Sequence, residues 1–275
     1  MVLTDTFQLY EQERDMIANL LPDNSERRTK QNKRKITIVM GNPPYSAGQK
    51  SENDNAANMR YQNLDKAISD TYAKYSSSTR LVGIYDSYIR AIKWATERIG
   101  NEGCIAFVCG NAWLDRNFAD GMRKSLTIDF SQINIINLRG DIRKNMLSSG
   151  LAREGGNIFE KGSMTGICIV IFVKSNSHNC ECKINYFDIG DDKTSKQKLQ
   201  NLSSLGSIRK IKNENLFQTI VPNKYSEWLN QGSEKFSQYT LLGDSRPSEE
   251  VIFQITTSGV VTSRDAWCYN FSREK

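Results

Sequence analysis

Four short apolar runs, each bounded by polar or turn residues, stand out along this chain. They cover residues 36–41, 104–110, 133–138 and 167–174. They are rich in β-branched residues and too short for typical helices, so they predict strands that are buried within a sheet. Residues 183–190 predict a further strand, which we expect at an edge of the sheet.

Apolar positions at helical spacing lie between some of these strands. Residues 84–100 form one such segment, and Gly100 closes it as a C-cap. Residues 115–129 predict the next helix. A loosely amphipathic stretch that begins at Phe7 predicts an earlier helix, which we expect to end at Pro22.

The alternation of strands and helices predicts an α/β fold with a mostly parallel sheet covered on both faces. The strand 167–174 follows a loop rather than a helix, so it can run antiparallel to its neighbours. Beyond residue 190 the chain becomes polar and irregular. We therefore divide it into a sheet domain, residues 1–190, and a mixed C-terminal extension, residues 191–275.

Composition narrows the protein class only slightly. The chain has 275 residues and a net charge of +6, which permits an anionic partner such as nucleic acid without requiring one. The sequence contains no apolar run of about 18 residues that could span a bilayer and no signal-peptide pattern at its start. A cytoplasmic protein that is not embedded in a membrane is therefore expected.

The cysteines favour packing over metal binding. Cys104, Cys109 and Cys168 lie inside apolar runs, where cysteine behaves as a small hydrophobic residue. Cys180 and Cys182 lie close to the single histidine, His178. Three ligands fall short of a closed zinc site, so a polar turn is favoured here and no metal is predicted.

The tetrapeptide Asn42-Pro43-Pro44-Tyr45 directly follows the first strand. In an open α/β sheet, ligands bind beyond the carboxyl ends of strands, where this tetrapeptide lies. The two prolines fix the backbone and remove its N–H donors, which leaves the Asn42 amide oxygen and a rigid carbonyl as acceptors. Tyr45 adds a flat face for stacking. Together these features suit an exocyclic amine on an aromatic base.

Such an arrangement has a use in methyl transfer. The lone pair of an aromatic amine is delocalised into the ring, so the nitrogen is a poor nucleophile. Acceptors for both of its hydrogens draw the nitrogen toward tetrahedral geometry and localise the lone pair. A strong general base is then unnecessary.

The motif GNPPYSAG resembles motif IV of amino-methyltransferases that use S-adenosylmethionine, above all the N6-adenine DNA methyltransferases. Further segments resemble type ISP-like restriction–modification enzymes over nearly the whole chain: LTDTFQLYE, LLPDNSERR, NPPYSAGQKSENDN, YDSYIRAIKWA and TSRDAWCYNF. The resemblance implies a class I, Rossmann-like methyltransferase sheet, S-adenosylmethionine as the methyl donor and double-stranded DNA as the partner. Residues 1–190 would then be part of the catalytic domain, and residues 191–275 the start of a target-recognition region.

The resemblance also places candidate DNA-binding residues. A base must leave the duplex to be methylated, and Tyr45 would cover one of its faces. Phe159, in the glycine-rich loop 139–166, either covers the other face or anchors that loop to the core. The basic side chains near the site either contact phosphates or are simply solvated. They are Lys50, Arg139, Arg143, Lys144 and Arg153. The dense basic run 27–35 precedes a strand and is expected at the opposite edge.

The resemblance predicts a cofactor site only in part. A glycine-rich turn and an acidic residue that holds the ribose are expected before Asn42, and neither is present. We therefore expect the sheet to be incomplete at its N-terminal side, with the cofactor motif supplied by a companion chain or an N-terminal portion. Asp5 and Phe7 are candidates for contacts with the cofactor adenine or the target base.

Three other functions remain open at this level. N4-cytosine methylation uses similar chemistry, although Ser commonly replaces Asn in its motif. Methylation of a protein glutamine also uses NPPY, but that family places most of its fold before the tetrapeptide. A DNA-binding fragment without activity fits the lack of a cofactor motif.

Overall fold

A six-stranded mixed sheet forms the centre of the fold. The computed structural model describes residues 5–8, 10–11, 21–44, 61–141, 144, 154–159, 165–175, 181–233, 235, 238–243 and 251–255. The strands are β1 (Ile38–Gly41), β2 (Gly103–Gly110), β3 (Gln132–Arg139), β4 (Ile167–Lys174), β5 (Lys183–Asp188) and β6 (Gln218–Ile220). Their spatial order is β1-β2-β4-β3-β5-β6. The α/β class predicted from the sequence is confirmed.

Strand β4 determines the topology. It lies between β2 and β3 and runs antiparallel to both, as its lack of a preceding helix allowed. Only the pairs β1–β2 and β3–β5 are parallel, so the sheet is mixed rather than mostly parallel. Strand β5 pairs with both β3 and β6, so the prediction of an edge strand at 183–190 was wrong.

Helices and short helical turns cover the sheet. The α-helices are α1 (Pro22–Lys33), α2 (Gln62–Ile68), α3 (Ser87–Arg98), α4 (Asp120–Asp129), α5 (Ser195–Leu205) and α6 (Ile208–Asn213). A π-helical turn, Ser69–Ala73, extends α2, and 3-10 turns cover Val82–Tyr85, Ala112–Leu114 and Asn117–Ala119. Asp86 caps α3, and Thr194 forms a capping box with Gln197 at the start of α5.

Helix α1 begins at Pro22, where the sequence pattern predicted that a helix would end. A proline in the first helical turn lacks only an N–H that has no partner there, so it starts a helix as readily as it stops one. Residues 12–20 of the predicted earlier helix lie outside the described part of the chain, and residues 6–8 and 10 form turns.

Strand β1 differs from its predicted burial. Ile38 is 66% exposed and Met40 is 75% exposed, although the run 36–41 reads as a buried strand. Among the described residues β1 pairs only with β2 and lies at the end of the sheet. Its apolar side chains therefore form an exposed patch on the molecule.

Aromatic side chains dominate the core beside β4. The ring centroids of Phe130 and Phe172 lie 4.9 Å apart, and Trp113 contacts both Phe172 and Trp228. Helix α4 approaches the π-helical turn so closely that a Cβ at Gly121 would lie 2.2 Å from the Tyr72 carbonyl oxygen. A glycine is therefore required at that crossing.

The chain divides into two compact units, Met1–Gln231 and Gly232–Lys275. The first contains the whole sheet and also α5, α6 and β6, which follow the boundary at residue 190 drawn from the sequence. In the second, Leu241 and Val251 form an isolated parallel bridge. No helix within the described ranges is long and apolar enough to cross a membrane.

Candidate functional site

The first candidate residues lie where β1 ends. Asn42 and Pro44 are exposed and Pro43 is buried, so the middle proline anchors the turn while its neighbours face solvent. Strand β1 runs parallel to β2, with Gly41 opposite Phe107, so Asn42 lies at the same edge of the sheet as the end of β2. Tyr45 and Lys50 lie outside the described residues.

The loop after β2 brings a buried amide to this edge. The Asn111 Nδ2 atom donates to Asn137 Oδ1 at 2.9 Å, and the Asn111 backbone N–H donates to the Gly166 carbonyl at 2.9 Å. A Cβ at Gly166 would lie 2.5 Å from the Asn111 side chain, so only glycine fits. Asn111 Oδ1 is buried without a hydrogen-bond partner within the described ranges, which leaves one acceptor available there.

A polar network continues from Asn137 across the ends of β3 and β5. Asn137 Nδ2 donates to the Tyr186 hydroxyl at 2.9 Å, and that hydroxyl donates to Asp188 Oδ2 at 2.8 Å. Burial, together with the nearby Asp188 carboxylate, raises the pKa of Tyr186 well above its usual value. The hydroxyl therefore keeps its proton and holds the two strands in register.

Arg139, a predicted DNA contact, belongs to this network. Its Nε atom donates to Asp188 Oδ1 at 2.6 Å, and its Nη1 atom pairs with Asp191. Its backbone has a φ of +56°, which a non-glycine residue adopts only where surrounding contacts hold it. The geometry thus gives Arg139 a structural role at the end of β3, and phosphate contact by this residue remains a prediction.

Phe159 lies in the described part of the glycine-rich loop and is 43% exposed. Its backbone N–H donates to Asn157 Oδ1 at 2.9 Å, and Asn157 Nδ2 reaches the Thr165 carbonyl at 2.8 Å. Through Asn157, these bonds connect the Phe159 backbone to Thr165, near the end of the loop. Arg143 and Arg153 lie outside the described residues, while Lys144 forms an ion pair with Asp115 at 2.6 Å.

Residues of helix α5 donate hydrogen bonds to backbone carbonyls of this loop, a contact that the sequence pattern did not indicate. The buried Lys198 Nζ donates to the Glu154 carbonyl at 2.7 Å, and Ser195 Oγ donates to the Ile158 carbonyl at 3.3 Å. Burial lowers the pKa of Lys198 to about 8. The sequence places Lys198 among lysines and leucines typical of a surface helix, and this pattern gives no signal for a contact with a loop some 44 positions earlier.

Asp5 and Phe7, the candidate cofactor residues, contact each other and Tyr61. Tyr61 donates its hydroxyl proton to Asp5 Oδ2 at 2.6 Å, and the Phe7 N–H donates to Asp5 Oδ1 at 2.9 Å. The Phe7 and Tyr61 rings meet edge to face at 5.2 Å. Both oxygens of the Asp5 carboxylate are thus engaged in holding this turn.

The candidate metal ligands can be located only in part. His178 and Cys180 lie outside the described residues, and Cys182 is partly buried, which raises the pKa of its thiol to about 12. The described ranges contain no group of three His, Cys, Asp or Glu side chains arranged to hold a metal.

Comparison with known proteins relates this chain to restriction–modification enzymes. Residues 4–143 match the Eco57I restriction-modification methylase family. The chain is similar to the ATP-dependent Type ISP restriction-modification enzyme LlaBIII bound to DNA, with 39% identity, a TM-score of 0.88 and coverage of 97% of this chain and 17% of that one. No curated protein matches the chain significantly.

Two further solved structures are also similar. A nuclease-deletion mutant of the Type ISP restriction-modification enzyme LlaGI, in complex with a DNA substrate mimic, shares 41% identity. Its TM-score is 0.84, with coverage of 97% of this chain and 24% of that one. The DrdV–DNA complex shares 32% identity, with a TM-score of 0.74 and coverage of 89% and 24%. This chain thus spans 17% to 24% of the length of these three proteins.

Proposed function

This chain belongs to the Eco57I restriction-modification methylase family, and we propose that it carries the target-base site of an adenine-specific DNA methyltransferase. In this proposal a methyl group passes from S-adenosylmethionine to the exocyclic amine of adenine within a restriction–modification system. The observation that carries it is the Asn42-Pro43-Pro44 segment at the end of β1, which lies at the same edge of the sheet as the buried amides of Asn111 and Asn137. The three similar structures that hold DNA support DNA as the substrate.

The Asn42 side chain and a neighbouring proline-fixed carbonyl would accept hydrogen bonds from the two amine hydrogens. Pro43 is buried, so the turn is held in place before the base arrives and needs little reorganisation during the reaction. Tyr45 would stack on the flipped base, and Phe159 would cover its second face. Two observations support this role for Phe159: its side chain is partly exposed, and its backbone N–H is held by Asn157 Oδ1.

S-adenosylmethionine supplies the electrophilic methyl group when it is bound. The described residues do not by themselves form a site that fits it, because both oxygens of the Asp5 carboxylate are used by Tyr61 and the Phe7 backbone. Contact between the cofactor and Asp5 or Phe7 therefore remains a prediction. We assign Asp5 and Phe7 no part in the methyl transfer itself.

In our proposal, the exposed patch on β1 is the surface on which the cofactor-binding part of the enzyme packs. Ile38 and Met40 lie on one face of β1 and are mostly solvent-exposed, which is costly for large apolar side chains in a group. In our proposal, further strands with the cofactor motif cover this patch. They would come from a companion chain or from an N-terminal portion.

Replacement of Asn42 tests the proposed role directly. In the complete enzyme, with the portion that carries the cofactor motif present, transfer of labelled methyl groups from S-adenosylmethionine to duplex DNA should fall by at least about a hundredfold in Asn42→Ala, because one of the two amine acceptors is lost. Asn101→Ala, an exposed asparagine in the turn before β2, serves as the matched control and should retain activity. Unchanged turnover in Asn42→Ala would refute the assignment. Mass spectrometry of the product separates N6-methyladenine from N4-methylcytosine.

A second candidate function is DNA binding without methyl transfer. It is favoured by the engaged Asp5 carboxylate, since Tyr61 and the Phe7 backbone already use both of its oxygens. Methyl-transfer assays of the complete enzyme, with the portion that carries the cofactor motif present, distinguish the two. Methyl transfer to DNA supports the methyltransferase, whereas DNA binding without methyl transfer supports the second candidate. Calorimetric titration of this chain alone with S-adenosylmethionine then shows whether it contributes to the cofactor site.

A further inference from the structure

An open groove of about 680 Å³ lies between the loops that follow β2 and β3. The side chains that matter for the argument are polar or cationic and come from three separate segments. They are Ser78, Thr79, Arg80, Arg116, Asn117 and Lys144. Because residues 115–118 follow the end of β2 and Lys144 follows the end of β3, the groove lies on the same side of the sheet as Asn42.

The charge of the groove is positive. Arg80, Arg116 and Lys144 contribute three cations, while Asp115 in the lining pairs with Lys144 and the adjacent Asp141 pairs with Arg116, so the excess of three cations over two carboxylates is one positive charge. Arg80 is exposed, and none of the described residues forms an ion pair with it. Arg116 pairs with the buried Asp141 through Nη2 at 3.3 Å and keeps 43% of its side chain exposed. Donors therefore remain for an anion from solvent.

Two buried polar residues hold the walls of the groove. Arg123 is 2% exposed and donates through Nη1 to the carbonyls of Trp113 at 2.9 Å and Arg116 at 3.0 Å, which fixes the wall after β2. Asp120 accepts from the Ser77 N–H at 2.7 Å and the Ser77 hydroxyl at 2.6 Å, which fixes the segment that leads to Arg80. The groove is thus formed in advance of any ligand.

We propose that this groove binds the phosphodiester backbone of the DNA. Small-molecule sites are typically enclosed, whereas this groove is open, and beside the Phe118 ring it presents guanidinium, ammonium, hydroxyl and amide groups. Those are the groups that contact phosphate and sugar without reading the sequence. The proposal rests on the proposed DNA substrate, and it adds Arg80 and Arg116 to Lys144 as phosphate contacts.

The test measures how the affinity of the 275-residue chain for a labelled DNA duplex changes with salt. The affinity falls with salt, and each lost phosphate contact makes the slope of log K against log salt less steep by about 0.9. Arg80→Gln/Arg116→Gln should therefore reduce its steepness by about 1.8. Between about 50 and about 200 mM salt the double variant should then lose about tenfold less affinity than the wild type. Arg27→Gln/Arg209→Gln removes the same charge from exposed positions on α1 and α6 and is the control.

Fluorescence anisotropy separates the possible results. A reduced slope in the groove variant together with a wild-type slope in the control supports the proposal. Equal slopes in the two variants would overturn the proposed role of the groove but would leave DNA binding by the chain intact. If the wild-type chain does not bind DNA, both the groove and the proposed DNA substrate fail. The single variant Arg80→Glu, at an exposed position, repeats the test without disturbing the Arg116–Asp141 pair.

Discussion

Replacing Lys198 with methionine tests how helix α5 supports the loop that carries Phe159. The Lys198 side chain is almost completely buried, and its ammonium donates to the Glu154 carbonyl rather than to a carboxylate. Burial is the main reason why its pKa falls to about 8 from the usual 10.5; the positive charges of Arg139 and Lys193 act in the same direction. Methionine has a similar length and keeps the packing without the charge.

The direction of the pH effect follows from this lowered pKa. Between about pH 8 and 10.5 the unfolded chain binds more protons at Lys198 than the folded chain does, so the free energy of unfolding rises with pH. The full change across the window is about 3 kcal/mol, and about 2 kcal/mol of it falls between pH 7 and 9.5. The methionine variant lacks this contribution.

Urea unfolding of both proteins at several pH values from about 7 to 9.5 gives the difference directly. We expect the wild type to gain about 2 kcal/mol over Lys198→Met across that range. Lys196→Met, at an exposed position on the same helix, controls for the loss of one lysine. Parallel pH profiles for the wild type and Lys198→Met would refute the reasoning, because the buried amine would then titrate as it does in water.

Two further predictions concern the packing around α4. Gly121→Ala should destabilise the fold by more than about 3 kcal/mol in urea unfolding, because its Cβ would meet the Tyr72 carbonyl oxygen at 2.2 Å. Gly41→Ala, whose Cβ would have an ordinary 3.7 Å contact, should change stability by less than about 1 kcal/mol, and equal effects would contradict the model of packing. Arg123→Met removes the donors to three loop carbonyls and should cost about 2 to 4 kcal/mol in the same assay; a cost below about 0.5 kcal/mol would show that the loop does not depend on them.

The strands and the Asn42-Pro43-Pro44-Tyr45 motif could be predicted from the sequence because both depend on local patterns. A β-branched apolar run between turn residues predicts a strand wherever it occurs, and β2, β3 and β4 lie within one residue of their predicted bounds. Two adjacent prolines end β1 in any context, so Asn42 was correctly placed after a strand end. The family resemblance rests on short sequence motifs of this kind and is confirmed by the family match.

Local patterns were misleading where neighbours decide burial. The run 36–41 reads as buried, yet burial of β1 depends on what lies beside it in the sheet, and Ile38 and Met40 are exposed. The predicted edge strand became an internal strand because β6, contributed by residues beyond 190, pairs with its outer side. The residue pattern of a strand does not specify its neighbours in the sheet, so neither outcome could be predicted from it.

Local patterns were enough to predict the α/β class, the approximate strand bounds and the position of the Asn-Pro-Pro segment, since each depends on residues close together in the chain. Long-range packing was needed to place β4 between β2 and β3, to pair Arg139 with Asp188, and to bring Arg80 and Arg116 to one groove. These contacts join residues that are tens of positions apart, and their partners are selected by packing of the whole sheet rather than by local periodicity. For that reason the position of the candidate motif was predictable, but the contacts that support it were not.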